Sequence, residues 1–335
     1  MGNYDFDSAV IGGGSAGYAT ARTTAAAGKR TVIIEAGGEL GGLCILRGCM
    51  PTKALLHAAD VRHQARRSSI WGLKPDEVSF DFAAVMRRKA AMVEEFASYR
   101  RGQLQDGRFE LIRALARFRD PHTLELDNGK AVTAEHIMIC TGSRVAELPL
   151  PGLTKLGCIT SDDALRLESL PKSIIVLGGG AVALEFAQFF ARFDVEVTLL
   201  QRSPHILKAF DDDGAGEVEA AFRAEGITVH TGCSLMDARH DGNEKMVVYE
   251  RDGVQHEVRA EAVFHGLGRS PNTGSLALEN GGVETERGRI LCDTHMRTST
   301  PHIYAGGDCT GPHEIVHIAI QQGEVAAHNI LHPDG

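Results

Sequence analysis

Near its start the chain switches twice between strand-like and helix-like spacing of apolar residues. Phe6 to Val10 is a short apolar run, the stretch to Ala27 is Ala-rich and helical in character, and Thr31-Val32-Ile33-Ile34 is β-branched again. Gly12-Gly13-Gly14-Ser15-Ala16-Gly17 stands between the first run and the helix, so the pattern predicts strand, glycine turn, helix, strand. The succession returns later. Ser173 to Leu177 is apolar, Gly178-Gly179-Gly180-Ala181-Val182-Ala183 follows, an apolar helix continues through Phe190, and Val195 to Leu200 predicts the next strand.

Gly12, Gly14 and Gly17 fit the spacing G-x-G-x-x-G. In that arrangement the first glycine permits the turn, the second lets a pyrophosphate approach the backbone, and the third packs helix against strand. Glu35 lies 23 residues after Gly12, where an acid can accept from a ribose hydroxyl. In the second unit Gly178, Gly180 and Ala183 take the three places, and the same count of 23 from Gly178 reaches Gln201, followed by Arg202. A neutral side chain removes the repulsion of a 2'-phosphate and an arginine can pair with it, so NADPH is expected over NADH. Two such units predict an α/β fold with two Rossmann-like dinucleotide-binding domains, their parallel sheets flanked by helices.

Composition narrows the picture. A chain of 335 residues suits two or three domains, and 43% hydrophobic with 24% charged residues supplies ordinary cores. Lys and Arg total 35 against 44 Asp and Glu, a net charge of -9 that lacks the footprint of a general nucleic-acid binder. Neither a leader pattern nor a run of about 18 apolar residues occurs, so no membrane partner and a cytoplasmic location are expected. The stretch from Asp60 to Glu110 is charged and predicts helices, one over 81–101, broken by a loop at 71–75. Its clusters Arg66-Arg67 and Arg87-Arg88-Lys89 are expected on solvated faces. Leu148-Pro149-Leu150-Pro151-Gly152 is punctuated like a linker.

Seven cysteines are an odd number in a chain of a size that needs no disulfide staples, so any disulfide is expected to be a working one. Two of them frame the most informative stretch, Gly41-Gly42-Leu43-Cys44-Ile45-Leu46-Arg47-Gly48-Cys49-Met50-Pro51-Thr52-Lys53. In a regular helix Cys44 and Cys49 would point about 140° apart, so joining them requires an irregular turn, for which Gly48 supplies the freedom. Pro51 suits the first turn of a helix, which sets Cys49 near an N-terminus whose partial charge favours a thiolate. Two buried free cysteines are the alternative reading of the same residues.

The block Gly-Gly-x-Cys-x4-Cys-x-Pro-x-Lys resembles the class I pyridine nucleotide-disulfide oxidoreductases, among them dihydrolipoamide dehydrogenase, glutathione reductase and mercuric reductase. Ala114 to Phe118, Ile139-Cys140-Thr141-Gly142-Ser143, Gly268-Arg269-Ser270-Pro271-Asn272 and Ile303 to Asp308 match in the family's order. The resemblance implies that Cys44 is the outer thiol that exchanges with substrate and Cys49 the inner thiol against FAD, the two forming a redox disulfide. It implies that Lys53 sits near flavin N5, paired with Glu185. Asp308 would bind the ribitol, Val316 would lie beneath the flavin, and Gly42, Ala116, Thr141, Gly142 and Gly268 would complete the cofactor sites. The expected partition is 1–150 for FAD with the redox cysteines, 151–272 for NAD(P), and 273–335 returning to the FAD domain. Family members are homodimers and continue into an interface domain carrying a His-Glu pair. The sequence given stops at Gly335, so that domain is expected to be absent and thiol exchange with a small or protein disulfide to be the slow step.

Three other readings share some of these residues. His313-Glu314-Ile315-Val316-His317 fits the zinc-protease pattern H-E-x-x-H, although no metal is the expectation. A thioredoxin reductase would also use FAD and NADPH, but with Cys-x-x-Cys in its second nucleotide domain. A flavin-binding redox sensor or assembly protein would carry every cofactor motif with little turnover.

Overall fold

The computed structural model describes residues 4–74, 77–311 and 313–332, so Pro75 of the expected loop lies outside the described residues. The chain divides into two units, Met1–Leu46 with Glu94–Arg144 and Arg269–Gly335, and Arg47–Val93 with Val145–Gly268.

In the first unit the strand Phe6–Ile11 lies between Thr31–Ile34 and Ala131–Ile139, parallel to both. Glu110–Ile112 extends the sheet beyond Thr31–Ile34, and Ile303–Ala305 pairs with the last residues of Ala131–Ile139, again in parallel. An antiparallel arm, Ala116–Asp120 and Thr123–Leu126, grows from the other end of Ala131–Ile139. The strands are apolar runs because helices or the arm cover their faces. Helix Ser15–Ala26 packs against helix Val316–Leu331 so closely that a Cβ on Gly323 would sit 2.3 Å from the carbonyl oxygen of Ala16. Thr20 Oγ1 donates to the Gly323 carbonyl at 3.0 Å and fixes that crossing.

The second unit repeats the plan. Ser173–Leu177 pairs in parallel with Glu196–Leu200 and Ala262–His265, and Thr228–His230 adds an outer strand. An antiparallel meander, Ser234–Asp241, Glu244–Arg251 and Val254–Ala260, lies beside it. Helix Ala181–Arg192 buries Phe186, Phe189 and Phe190, each contributing about 1.5 to 3 kcal/mol of burial.

The expected boundary at 150 differs from this division, because residues 47–93 go with the second unit. Helix Cys49–Arg66 presents Leu55 and Ala59 to the same apolar cluster as the three phenylalanines. Charge adds to the packing: Arg62 pairs with Asp194 at 2.5 Å, and Arg192 pairs with Asp60 and with Glu225. Arg66, expected on a solvated face, also reaches Asp194 at 2.6 Å. The helix predicted over 81–101 runs Phe82–Leu104, and the linker at 148–152 is partly helical, since Pro151 opens helix Pro151–Lys155. Val316 likewise opens its helix, leaving His313 and Glu314 before it, so the two histidines of the zinc pattern do not share a helical face. Among the described residues no helix is long and apolar enough to cross a membrane.

Candidate functional site

In the first unit the turn after Phe6–Ile11 is a cradle of backbone. Gly12 has φ +104, and a Cβ there would lie 2.4 Å from the carbonyl oxygen of Cys140. A Cβ on Gly17 would lie 1.9 Å from the carbonyl oxygen of Gly12, so helix and turn meet only through glycine. Gly14, by contrast, faces open space within 4 Å. Helix Ser15–Ala26 carries no acid in its first turn and no side-chain cap, which leaves its N-terminal N–H groups for an anion. Gly42, with φ +76, would bring a Cβ to 2.8 Å from the Cα of Gly14, so the segment before Cys44 lies against the turn.

Acids and hydroxyls border this cradle. Glu35 accepts from the N–H of Gly13 at 2.6 Å and of Gly37 at 2.8 Å, which holds the carboxylate at the edge of the turn. Thr141 Oγ1 is buried with no hydrogen-bond partner, an orphaned donor beside Gly142, whose Cβ position is open. Asp308 accepts from Ser143 Oγ at 2.7 Å, and Arg269 Nε donates to that same oxygen at 2.7 Å. Ser143 and Arg269 both stand in the blocks that match the family. Val316 is half-buried at the start of its helix, and Ala116 is buried at the start of its strand. An open Gly14, an orphaned hydroxyl and an acid on a hydrogen-bonded mount fit a flavin dinucleotide.

The cysteines sit on two helices separated by Arg47 and Gly48. Cys44 is half-buried in helix Gly42–Leu46, and Cys49, exposed, is the first residue of helix Cys49–Arg66. That helix has no acid in its first turn, so its N-terminal field acts on Cys49 unopposed by a nearby carboxylate of its own. Four residues along it Lys53 forms an ion pair with Glu185 of helix Ala181–Arg192, both within the second unit. The other five cysteines differ in kind. Burial pushes the thiols of Cys140, Cys158, Cys233, Cys292 and Cys309 up, that of Cys309 to about 11, so they stay protonated and inert at neutral pH.

The second unit holds a cavity of about 700 Å³ at the glycine turn Gly178-Gly179-Gly180. A Cβ on Gly178, φ +108, would meet the carbonyl oxygen of Gly266 at 2.3 Å, whereas Gly180 and Gly268 face open space. Ala183, in the third glycine's place, is buried, and a Cβ on Gly266 would meet its methyl at 2.7 Å. Gln201 is buried beneath Gly179, where its side chain would touch an added Cβ at 3.0 Å. Arg202 lies exposed on the cavity wall with Ser203 and Lys208, so the wall carries two cations where an acid-bearing turn would carry a carboxylate. Lys208 escaped the sequence reading because the loop placing it has no periodic signal. The chemistry fits a nicotinamide dinucleotide.

The family of pyridine nucleotide-disulphide oxidoreductases matches residues 6–323, and the chain belongs to it. Its relatives include a mercuric reductase of Bacillus cereus, 33% identical over 98% of this chain and 52% of the relative. Another is a dihydrolipoyl dehydrogenase of Geobacillus stearothermophilus, 35% identical over 97% of this chain and 70% of the relative. Among solved structures, the HOCl-induced flavoprotein disulfide reductase RclA from Escherichia coli superposes with a TM-score of 0.85 at 30% identity, covering 98% of this chain and 72% of that one. The chain thus spans about half the length of the Bacillus cereus mercuric reductase it matches.

Proposed function

We propose that this chain takes electrons from NADPH through FAD to a Cys44–Cys49 disulfide, and from the resulting dithiol to a small or protein disulfide. The observation that supports it best is the pairing of two glycine cradles, one in each unit, with a cysteine that opens a helix. When bound, the flavin supplies the two-electron relay between nicotinamide and disulfide.

The residues have separable parts in this reading. Gly12, Gly14, Gly17 and the N-terminus of Ser15–Ala26 take the flavin pyrophosphate, Glu35 the adenosine ribose, Thr141 and Asp308 the flavin half. Gly178, Gly180, Ala183 and Gly268 shape the nicotinamide nucleotide site, with Arg202 and Lys208 on its 2'-phosphate. Cys49 is the thiol nearer the flavin, Cys44 the one that attacks substrate. The Lys53 ammonium, kept in place by Glu185, stabilises negative charge as the flavin is reduced.

Mixing the FAD-loaded protein with NADPH without oxygen tests the first step. Bleaching of the flavin absorbance within the mixing time scale of seconds is expected, and a flavin left oxidised by excess NADPH would overturn the reading.

A further inference from the structure

His265 ends the strand Ala262–His265 in the second unit and is buried. Its ring closes a small circuit of hydrogen bonds. Nε2 lies 2.8 Å from the carbonyl oxygen of Ala146, and the Leu267 N–H reaches Nδ1 at 3.3 Å. The Ala146 N–H in turn donates to the Gly268 carbonyl at 3.0 Å. A carbonyl only accepts and an amide N–H only donates, so the ring stands as the tautomer that carries its proton on Nε2.

One side chain thereby fastens two stretches of the cavity wall. Glu147, Pro149 and Leu150 follow Ala146, and Gly266, Leu267 and Gly268 follow His265; both stretches line the cavity, while the ring itself does not. The second stretch needs a fastener, because the glycines flanking Leu267 free its backbone, with Gly268 at φ +110. The Gly266 N–H still bonds to the Leu177 carbonyl at 2.9 Å, but one residue further on the acceptor is His265.

Sheet order tells which end of the cavity this is. Ser173–Leu177, which leads into the glycine turn, has Glu196–Leu200 on one side and Ala262–His265 on the other. Glu196–Leu200 leads to Gln201 and Arg202. A dinucleotide that crosses the turn with its 2'-phosphate at Arg202 and Lys208 therefore carries its nicotinamide half toward residues 266–268.

We propose that His265 is a positioning residue for the nicotinamide half of NADPH, acting through the loop 266–268. The inference rests on the proposed function, in which this cavity takes NADPH. Without the ring, the Leu267 N–H and the Ala146 carbonyl lose these partners, and the loop is free to shift against the glycine turn it touches.

Two measurements on the FAD-loaded protein test this. Stopped-flow reduction of the flavin without oxygen, over a series of NADPH concentrations, reads the nicotinamide half, because NADPH becomes NADP+ by giving up a hydride from that ring. Calorimetric titration with adenosine 2',5'-bisphosphate reads the adenosine half alone. His265→Leu is expected to lower the ratio of limiting rate to half-saturating NADPH concentration roughly 10-fold, and to leave the Kd for the bisphosphate unchanged. His265→Gln, which again offers a donor and an acceptor, is expected to recover most of that loss, and His265→Met replaces the Leu variant should that not fold. An unchanged ratio in the apolar variant would overturn the proposal. So would bisphosphate binding weakened as much as reduction, or a glutamine variant as slow as the apolar one. Failure of the proposed function would appear in the unaltered protein, whose flavin NADPH would leave oxidised, and failure of this inference only in the variants.

Discussion

Ser143 donates a hydrogen bond to Asp308 at 2.7 Å across 165 residues of chain, and so ties the strand-end after Ala131–Ile139 to the segment after Ile303–Ala305. Arg269 holds the same hydroxyl from the other side, with Nε to Oγ at 2.7 Å and a terminal nitrogen to the Ser143 carbonyl at 2.8 Å. A carboxylate mounted in this way is pre-oriented for the ligand it is proposed to bind. Ser143→Ala should therefore weaken FAD binding roughly tenfold, the size of one hydrogen bond to a charged group. Flavin retained after ultrafiltration at a series of FAD concentrations measures it, and undiminished retention would remove Asp308 from the flavin site.

The glycines of the first turn separate folding from binding. Gly17→Ala puts a methyl 1.9 Å from a backbone oxygen and should lower the melting temperature of the flavin-free protein markedly. Gly14→Ala meets nothing within 4 Å, so the flavin-free protein should melt as the wild type does while its FAD content falls. Melting curves with and without FAD distinguish the two, and a Gly14→Ala protein that holds FAD normally would argue against a pyrophosphate at that turn.

Arg202 and Lys208 make a matching prediction for the second unit. Each changed to Ala should raise the KM for NADPH roughly tenfold and leave that for NADH nearly unchanged, because only NADPH carries the phosphate they face. Equal effects on both nucleotides would assign the two cations to something other than the 2'-phosphate.

Burial also sets a dependence on pH. His136 and His302 in the first unit both have pKa values held down, with desolvation as the chief cause, and His136 Nδ1 is buried without a partner. The unfolded chain takes up these protons near pH ~6.5 while the folded one resists, so their contribution to stability is whole above that pH and is lost as pH falls below it. Melting temperature should drop by a few degrees between neutral and mildly acidic pH, and His136→Gln should flatten the slope. An unchanged slope in that variant would exclude His136 as a source.

The local pattern was readable because it is local. Apolar runs next to glycine turns place Phe6–Ile11 and Ser173–Leu177 where they lie, and Pro51 with Gly48 places Cys49 at a helix start. What depends on a partner far along the chain was not readable. Nothing in Leu55 or Ala59 announces that they share an apolar cluster with Phe186 and Phe190, so the grouping of residues 47–93 with 145–268 carries no local signal. The partners of Ser143, Arg66 and Lys53 lie over a hundred residues away. Only the resemblance, not spacing, suggested Lys53 with Glu185.

Reductive titration without oxygen bears most directly on the central claim, that flavin and the Cys44–Cys49 pair act as one relay. Dithionite added stepwise to the FAD-loaded protein should be consumed to four electrons per flavin, two for the flavin and two for the disulfide, and Cys44→Ser should take only two. Two electrons per flavin in the unaltered protein would contradict the account, because the cysteines would then stand outside the path of the electrons.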